Sequence, residues 1–106
     1  MSMQSQGVSA QEPTPQVSYS FTACFSVTAS SEPNTLSRVL EPFAKRGLTP
    51  AHVYAMRTGT NGETMQVDLQ LANTDADTAW RLANDLRGLY LVDTVLTSEK
   101  RYAERA

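Results

Sequence analysis

Few side chains in this chain of 106 residues could do chemistry. Cys24 is its only cysteine and His52 its only histidine. A thiol nucleophile needs a base beside it to become a thiolate at neutral pH. Cys24 has no base nearby in sequence and reads as a small residue on a sheet face. One imidazole makes no metal site without partners, so His52 reads as a surface or interface residue. Asp75, Asp77 and Asp85 lie along one helical segment and read as solvated charges. Trp80 falls at helical spacing and reads as core rather than as a platform for a ligand. No catalytic residue, metal or cofactor is expected. An enzyme built on this chain would have to draw on Cys24, Asp68 and His52 on an open sheet face.

The elements that position these groups follow from hydrophobic periodicity. From Val17 to Ala29 apolar and polar residues alternate: Val17, Tyr19, Phe21, Ala23, Phe25 and Val27 against Ser18, Ser20, Thr22, Cys24, Ser26 and Thr28. A period of two puts one set on one face of a strand. Leu36, Val39, Leu40 and Phe43 then recur at helical spacing, predicting a helix over 35–46 that stops at Gly47. Pro42 inside it predicts a kink or an early 3₁₀ turn. Ser31 or Asn34 could cap this helix, and its first N–H groups could seat a carboxylate. Leu48–Thr58 reads as an edge strand of mixed polarity. Gly59-Thr60-Asn61-Gly62-Glu63 is a hairpin turn. Thr64–Ala72 is a strand with Met65, Val67, Leu69 and Leu71 inward. Asn73-Thr74-Asp75 opens a second helix with Ala76, Ala79, Trp80, Ala83 and Leu86 as its buried stripe, ended by Gly88. Leu89–Thr97 is the last strand.

The order βαββαβ predicts an α+β, ferredoxin-like sandwich: a four-stranded antiparallel sheet with two helices on one face. Strands one and three should be central, two and four at the edges. An RNA-recognition sheet needs aromatics on its open face. Here Tyr19, Phe21 and Phe25 share the core face with Val27. Nine Lys and Arg against eleven Asp and Glu give no basic footprint for nucleic acid or an anionic membrane. No apolar run approaches the ~20 residues of a membrane span. The N-terminus has no signal-peptide pattern, and the single thiol suits a cytoplasmic setting. Residues 1–16, rich in Gln, Ser and Pro, read as a disordered tail. Residues 17–98 form the domain, and 99–106 a charged tail.

The run Pro33-x-Thr35-Leu36-x-Arg38-Val39-Leu40, followed by Phe43 and Arg46-Gly47, resembles the first loop and helix of an ACT domain. The closest likeness is to the short regulatory (small) subunits of acetolactate synthase (acetohydroxyacid synthase). Leu91-Val92-Asp93-Thr94-Val95 resembles the last strand of that group. The resemblance covers Tyr19–Glu99 in element order. It implies a homodimer joined through edge strands, here His52, Tyr54 and Met56. It implies an amino-acid effector at the loop after strand one, here Ser31, Glu32, Pro33, Asn34, Thr35 and Leu36. It also implies docking on the synthase large subunit, which would carry the thiamine diphosphate, flavin and metal. Asn34 stands where effector-binding loops usually have Gly, and Ser31 where an Asn commonly holds the amino acid. Two readings follow: a subunit that activates the synthase in branched-chain amino acid biosynthesis, or a freestanding ACT homodimer that senses an amino acid.

Overall fold

The computed structural model describes residues 20–101. The expected N-terminal tail, the start of strand one at Val17–Tyr19 and residues 102–106 lie outside the described residues. The elements are β1 (Phe21–Ser30), α1 (Thr35–Lys45), β2 (His52–Thr58), β3 (Thr64–Thr74), α2 (Ala76–Arg87) and β4 (Val92–Lys100). The strands form one four-stranded sheet in the order β2-β3-β1-β4. Every pairing is antiparallel. This is the ferredoxin-like sandwich expected, with β1 and β3 inside and β2 and β4 at the edges.

The alternation in β1 becomes a core. Phe21, Ala23, Phe25, Val27 and Ala29 are all buried. They sit opposite the inward set of β3, with Ala23 beside Leu71, Phe25 beside Leu69 and Val27 beside Val67. The helices close over this face with Val39 and Phe43 from α1, and Leu82, Ala83 and Leu86 from α2. Phe43 meets Phe25 edge to face, ring centres 5.7 Å apart. Each such fully buried side chain stabilises the fold by roughly 1.5–3 kcal/mol.

Three expectations are corrected. Trp80 is not core; it is 63% exposed, and Ala76 is exposed too. The stripe that faces the sheet is Ala79, Leu82, Ala83 and Leu86. That spacing of i, i+3, i+4, i+7 follows one helix face, and Trp80 sits one residue round from it. The last strand spans Val92–Lys100 rather than Leu89–Thr97. Leu89 and Val92 donate backbone bonds to Leu86 and Leu89, so the chain is still turning there. The aspartates are not simply solvated. Asp75 caps α2, Asp77 accepts from Arg81 at 3.0 Å, and Asp85 joins the two helices through Arg46 at 2.8 Å.

Pro42 is buried inside α1, which stays helical through to Lys45. The proline has no N–H to offer the carbonyl of Arg38 one turn back. The tightening appears just beyond, where Arg46 and Gly47 donate to Phe43 and Ala44 three residues earlier. Gly47 then takes φ +69°, a region that favours glycine. The β2–β3 hairpin lies where Asn61-Gly62 places it. Gly62 has φ +70°, and a side chain there would strike the Arg57 guanidinium at 2.8 Å.

Candidate functional site

Three connections meet at one end of the sheet. The backbone N–H of Ser30 donates to the Leu91 carbonyl in the α2–β4 turn. That of Ser31 donates to the Glu63 carbonyl at the β2–β3 hairpin. The loop between β1 and α1 is thereby fixed from both sides. Its interior is tied by Thr35, which is fully buried. The Thr35 hydroxyl donates to the Ser30 carbonyl at 2.6 Å and accepts from the Glu32 N–H at 2.8 Å.

Beside this loop lies a cavity of about 370 Å³ lined by Glu32, Asn34, Arg38, Leu89, Tyr90 and Leu91. Leu89 and Leu91 supply an apolar floor. Glu32 and Arg38 supply opposite charges, and among the described residues neither side chain forms an ion pair. Asn34 occupies the N-cap position of α1 but its side chain makes no capping bond. A wall carrying one acid, one base and an apolar floor suits a small zwitterion.

The structure places the loop residues unequally. Glu32, Pro33 and Asn34 are exposed, and Ser31 and Leu36 are half-buried. Thr35 faces inward and cannot touch a ligand; its role is to hold the loop. Its N–H is also engaged, by the Glu32 carbonyl at 3.0 Å. A carboxylate at the helix start would therefore find the N–H groups of Asn34, Leu36 and Ser37 but not that of Thr35. The expectation missed Arg38 and the Leu89-Tyr90-Leu91 turn. Gly88 was the available signal: a glycine-ended helix followed by two leucines flanking a tyrosine can turn as easily as extend. Tyr90 is 99% exposed there.

His52, Tyr54 and Met56 lie on β2 and are exposed, on the sheet face turned away from the helices. The other side of this strand is open as well: Val53 is 41% exposed on the helix side, so the helix layer stops short of β2. Cys24 and His52 fall in one cross-strand row with Gln70 between them. Two strand spacings separate them, about 10 Å, and Asp68 belongs to a different row. The three groups do not converge into a catalytic site. Among the described residues no cluster of His, Cys, Asp and Glu could hold a metal ion. No described helix is long and apolar enough to cross a membrane.

The shifted titrations lie at the β2–β3 turn, at the cap of α2 and along α2, not in the cavity. The Thr78 N–H, donating to Asp75 at 2.8 Å, holds the Asp75 carboxyl below its usual range. The Asn61 N–H, followed by Glu63's own, does the same for Glu63. The Asp77 carboxylate beside Arg81 raises the guanidinium further.

Solved structures share this architecture. The ACT domain of GTP pyrophosphokinase from Chlorobium tepidum superposes with a TM-score of 0.62 at 14% identity, over 74% of this chain and 99% of that one. The C-terminal domain of the MgtC protein from Mycobacterium tuberculosis gives 0.61 at 11% identity, over 87% of this chain and all of that one (100%). The regulatory subunit of aspartate kinase from Thermus thermophilus, in its ligand-free form, gives 0.59 at 13% identity. That match covers 74% of this chain and 50% of the kinase subunit. At such identities the likeness is one of fold. No curated protein matches the sequence. The pattern of the ACT-like domain family matches residues 17–103, and with four antiparallel strands under two helices the chain belongs to that family.

Proposed function

We propose that this chain is a cytoplasmic regulatory module that performs no reaction, and that its target is the catalytic subunit of acetolactate synthase, which it binds and activates. The observation that carries the reading is the bare β2 strand, exposed on both faces and, among the described residues, unpaired along its outer edge. Such an edge offers a row of free backbone donors and acceptors to another chain. The Pro33–Gly47 likeness to the short synthase subunits points to that partner. The aspartate kinase subunit supports a regulatory role by its name. Mixing this chain with a purified synthase large subunit should raise its rate to a plateau at a fixed stoichiometry. An unchanged rate across the titration rejects the partner.

The cavity favours a second reading, a homodimer paired through β2 that senses an amino acid. Glu32 would meet the ammonium group, while Arg38 and the N–H groups of Asn34 and Leu36 would meet the carboxylate. Calorimetry against the twenty amino acids should then give one binder, weakened by Arg38→Ala and by Glu32→Gln. Silence at millimolar concentration rejects the sensor and leaves the activator standing.

A further inference from the structure

Among the described residues the helices cover one face of the sheet and leave the other open. Register arranges that open face in rows. One row reads Tyr54, Asp68, Ser26, Leu96 from β2 across to β4. Its ends are apolar and exposed, Tyr54 at 50% and Leu96 at 68%, and Met56 stands beside Tyr54 on the same face. Its middle is polar and already bonded within the chain. Gln66 Nε2 donates to Ser26 Oγ at 2.6 Å and to Asp68 Oδ1 at 3.1 Å. Thr28 Oγ1 donates to Gln66 Oε1 at 3.1 Å. Ser26 is thus an acceptor inside the chain and keeps its own proton to give. Asp68 keeps its second oxygen. Among the described residues neither finds a partner for these.

We propose that two copies of this chain pack face to face across this open side of the sheet. A two-fold axis lying between the sheets and running along the strands turns the row end for end. Tyr54 then covers the partner's Leu96, and Asp68 stands over the partner's Ser26. Each contact occurs twice, as an isologous interface requires. The free Ser26 proton of each copy meets the free Asp68 oxygen of the other, and the apolar ends close over both. Because Gln66 satisfies the rest of the polar lane, little is left unpaired when water leaves. A sideways slip that stacks β3 on β3 would bring the two Asp68 carboxylates together, so the same row also selects the register. Two sheets packed this way sit about 10 Å apart with their strands nearly aligned. The contact uses side chains on the open face. It leaves the backbone edge of β2 free and does not depend on the function proposed above.

The test is a crosslink between two differently marked chains. In a Cys24→Ser background of the full chain, one preparation carries Tyr54→Cys and the other Leu96→Cys. Each chain then carries a single cysteine, so a link between positions 54 and 96 can only join two chains. A flexible bifunctional maleimide, long enough to bridge sheets about 10 Å apart, should give in the mixture a covalent dimer whose digested peptides join position 54 to position 96. A dimer from the Tyr54→Cys chain alone reports edge pairing instead, and absence of the 54–96 link in the mixture overturns the face-to-face contact. As a second measurement, Leu96→Glu places a charge on an exposed site that folding does not use. Sedimentation should show the assembly mass falling by half with the circular dichroism unchanged. An unaltered mass, or a parent chain that lacks the larger species, overturns the proposal.

Discussion

The two strand-to-helix junctions are built differently from similar parts. Where β3 passes into α2, Asp75 is extended, and its carboxylate accepts from the Thr78 N–H at 2.8 Å. That junction satisfies itself by the usual N-cap device. Where β1 passes into α1, Asn34 holds the same position with φ −100° and ψ 7°, and its side chain bonds nothing. The work passes to the next residue, Thr35, whose buried hydroxyl ties Ser30 to Glu32 from below. The first junction is closed by a side chain on its outer surface. The second is closed from inside, leaving its outer surface, with Glu32, Asn34 and Arg38, facing a cavity. A helix can thus be anchored without spending the groups that a ligand would use.

The contrast is breakable, and the largest effect is expected at Thr35. Thr35→Val keeps the shape but strands the Ser30 carbonyl and the Glu32 N–H. Stability should fall by about 1–3 kcal/mol in urea titrations, and Thr35→Ser should recover most of it. If Thr35→Val is neutral, the inner tie is not what holds the loop. Asp75→Ala should destabilise less, because the site is on the surface. Its pH dependence is sharper than its size. The folded state lowers the Asp75 pKa, so its contribution is present above the ordinary Asp value and lost as pH falls through the folded one. Glu63 adds a loss of the same sign. Asp75→Asn keeps a capping acceptor without the charge, and should flatten the acid limb of stability against pH while leaving the neutral limb nearly in place. An unchanged acid limb would remove the cap from the comparison.

Smaller still is Asn34→Ala, since a residue that caps nothing has nothing to lose. Thermal and chemical denaturation should shift by no more than about 0.5 kcal/mol. A loss as large as a missing cap would show that Asn34 bonds in solution. Arg38→Ala should leave stability unmoved within the same margin. Its effect belongs to the binding titration alone, and a marked fall in melting temperature would mean that Arg38 belongs to the fold rather than to the cavity.

Some of this was open to reading residue by residue. The alternation of Phe21, Ala23, Phe25 and Val27 fixes a face because successive side chains in a strand point opposite ways. The inner and outer strands follow from how clean that alternation is. Asn61-Gly62 marks the hairpin because only a few residues accept the backbone it needs. The β1–α1 loop is visible for the same local reasons, as a polar stretch between two patterned ones. Trp80 misled because its apolar bulk was counted in a stripe that Leu82 fills. On a helix one residue is a rotation of about 100°, and only packing decides which side of the stripe is covered.

Sequence alone determined what local geometry dictates: periods of two and of 3.6, the turns that break them, and so the order of elements and their apolar faces. The tertiary structure alone decided what meets across the chain. Ser30 reaches Leu91, Arg46 reaches Asp85, and Tyr90 is turned outward beside Arg38. The first and last depend on where β4 starts, three residues later than its composition suggests, and on the register that carries it past β1; the second depends on the two helices lying side by side. Local periodicity records which way a side chain points, but not what will be standing there when the chain returns.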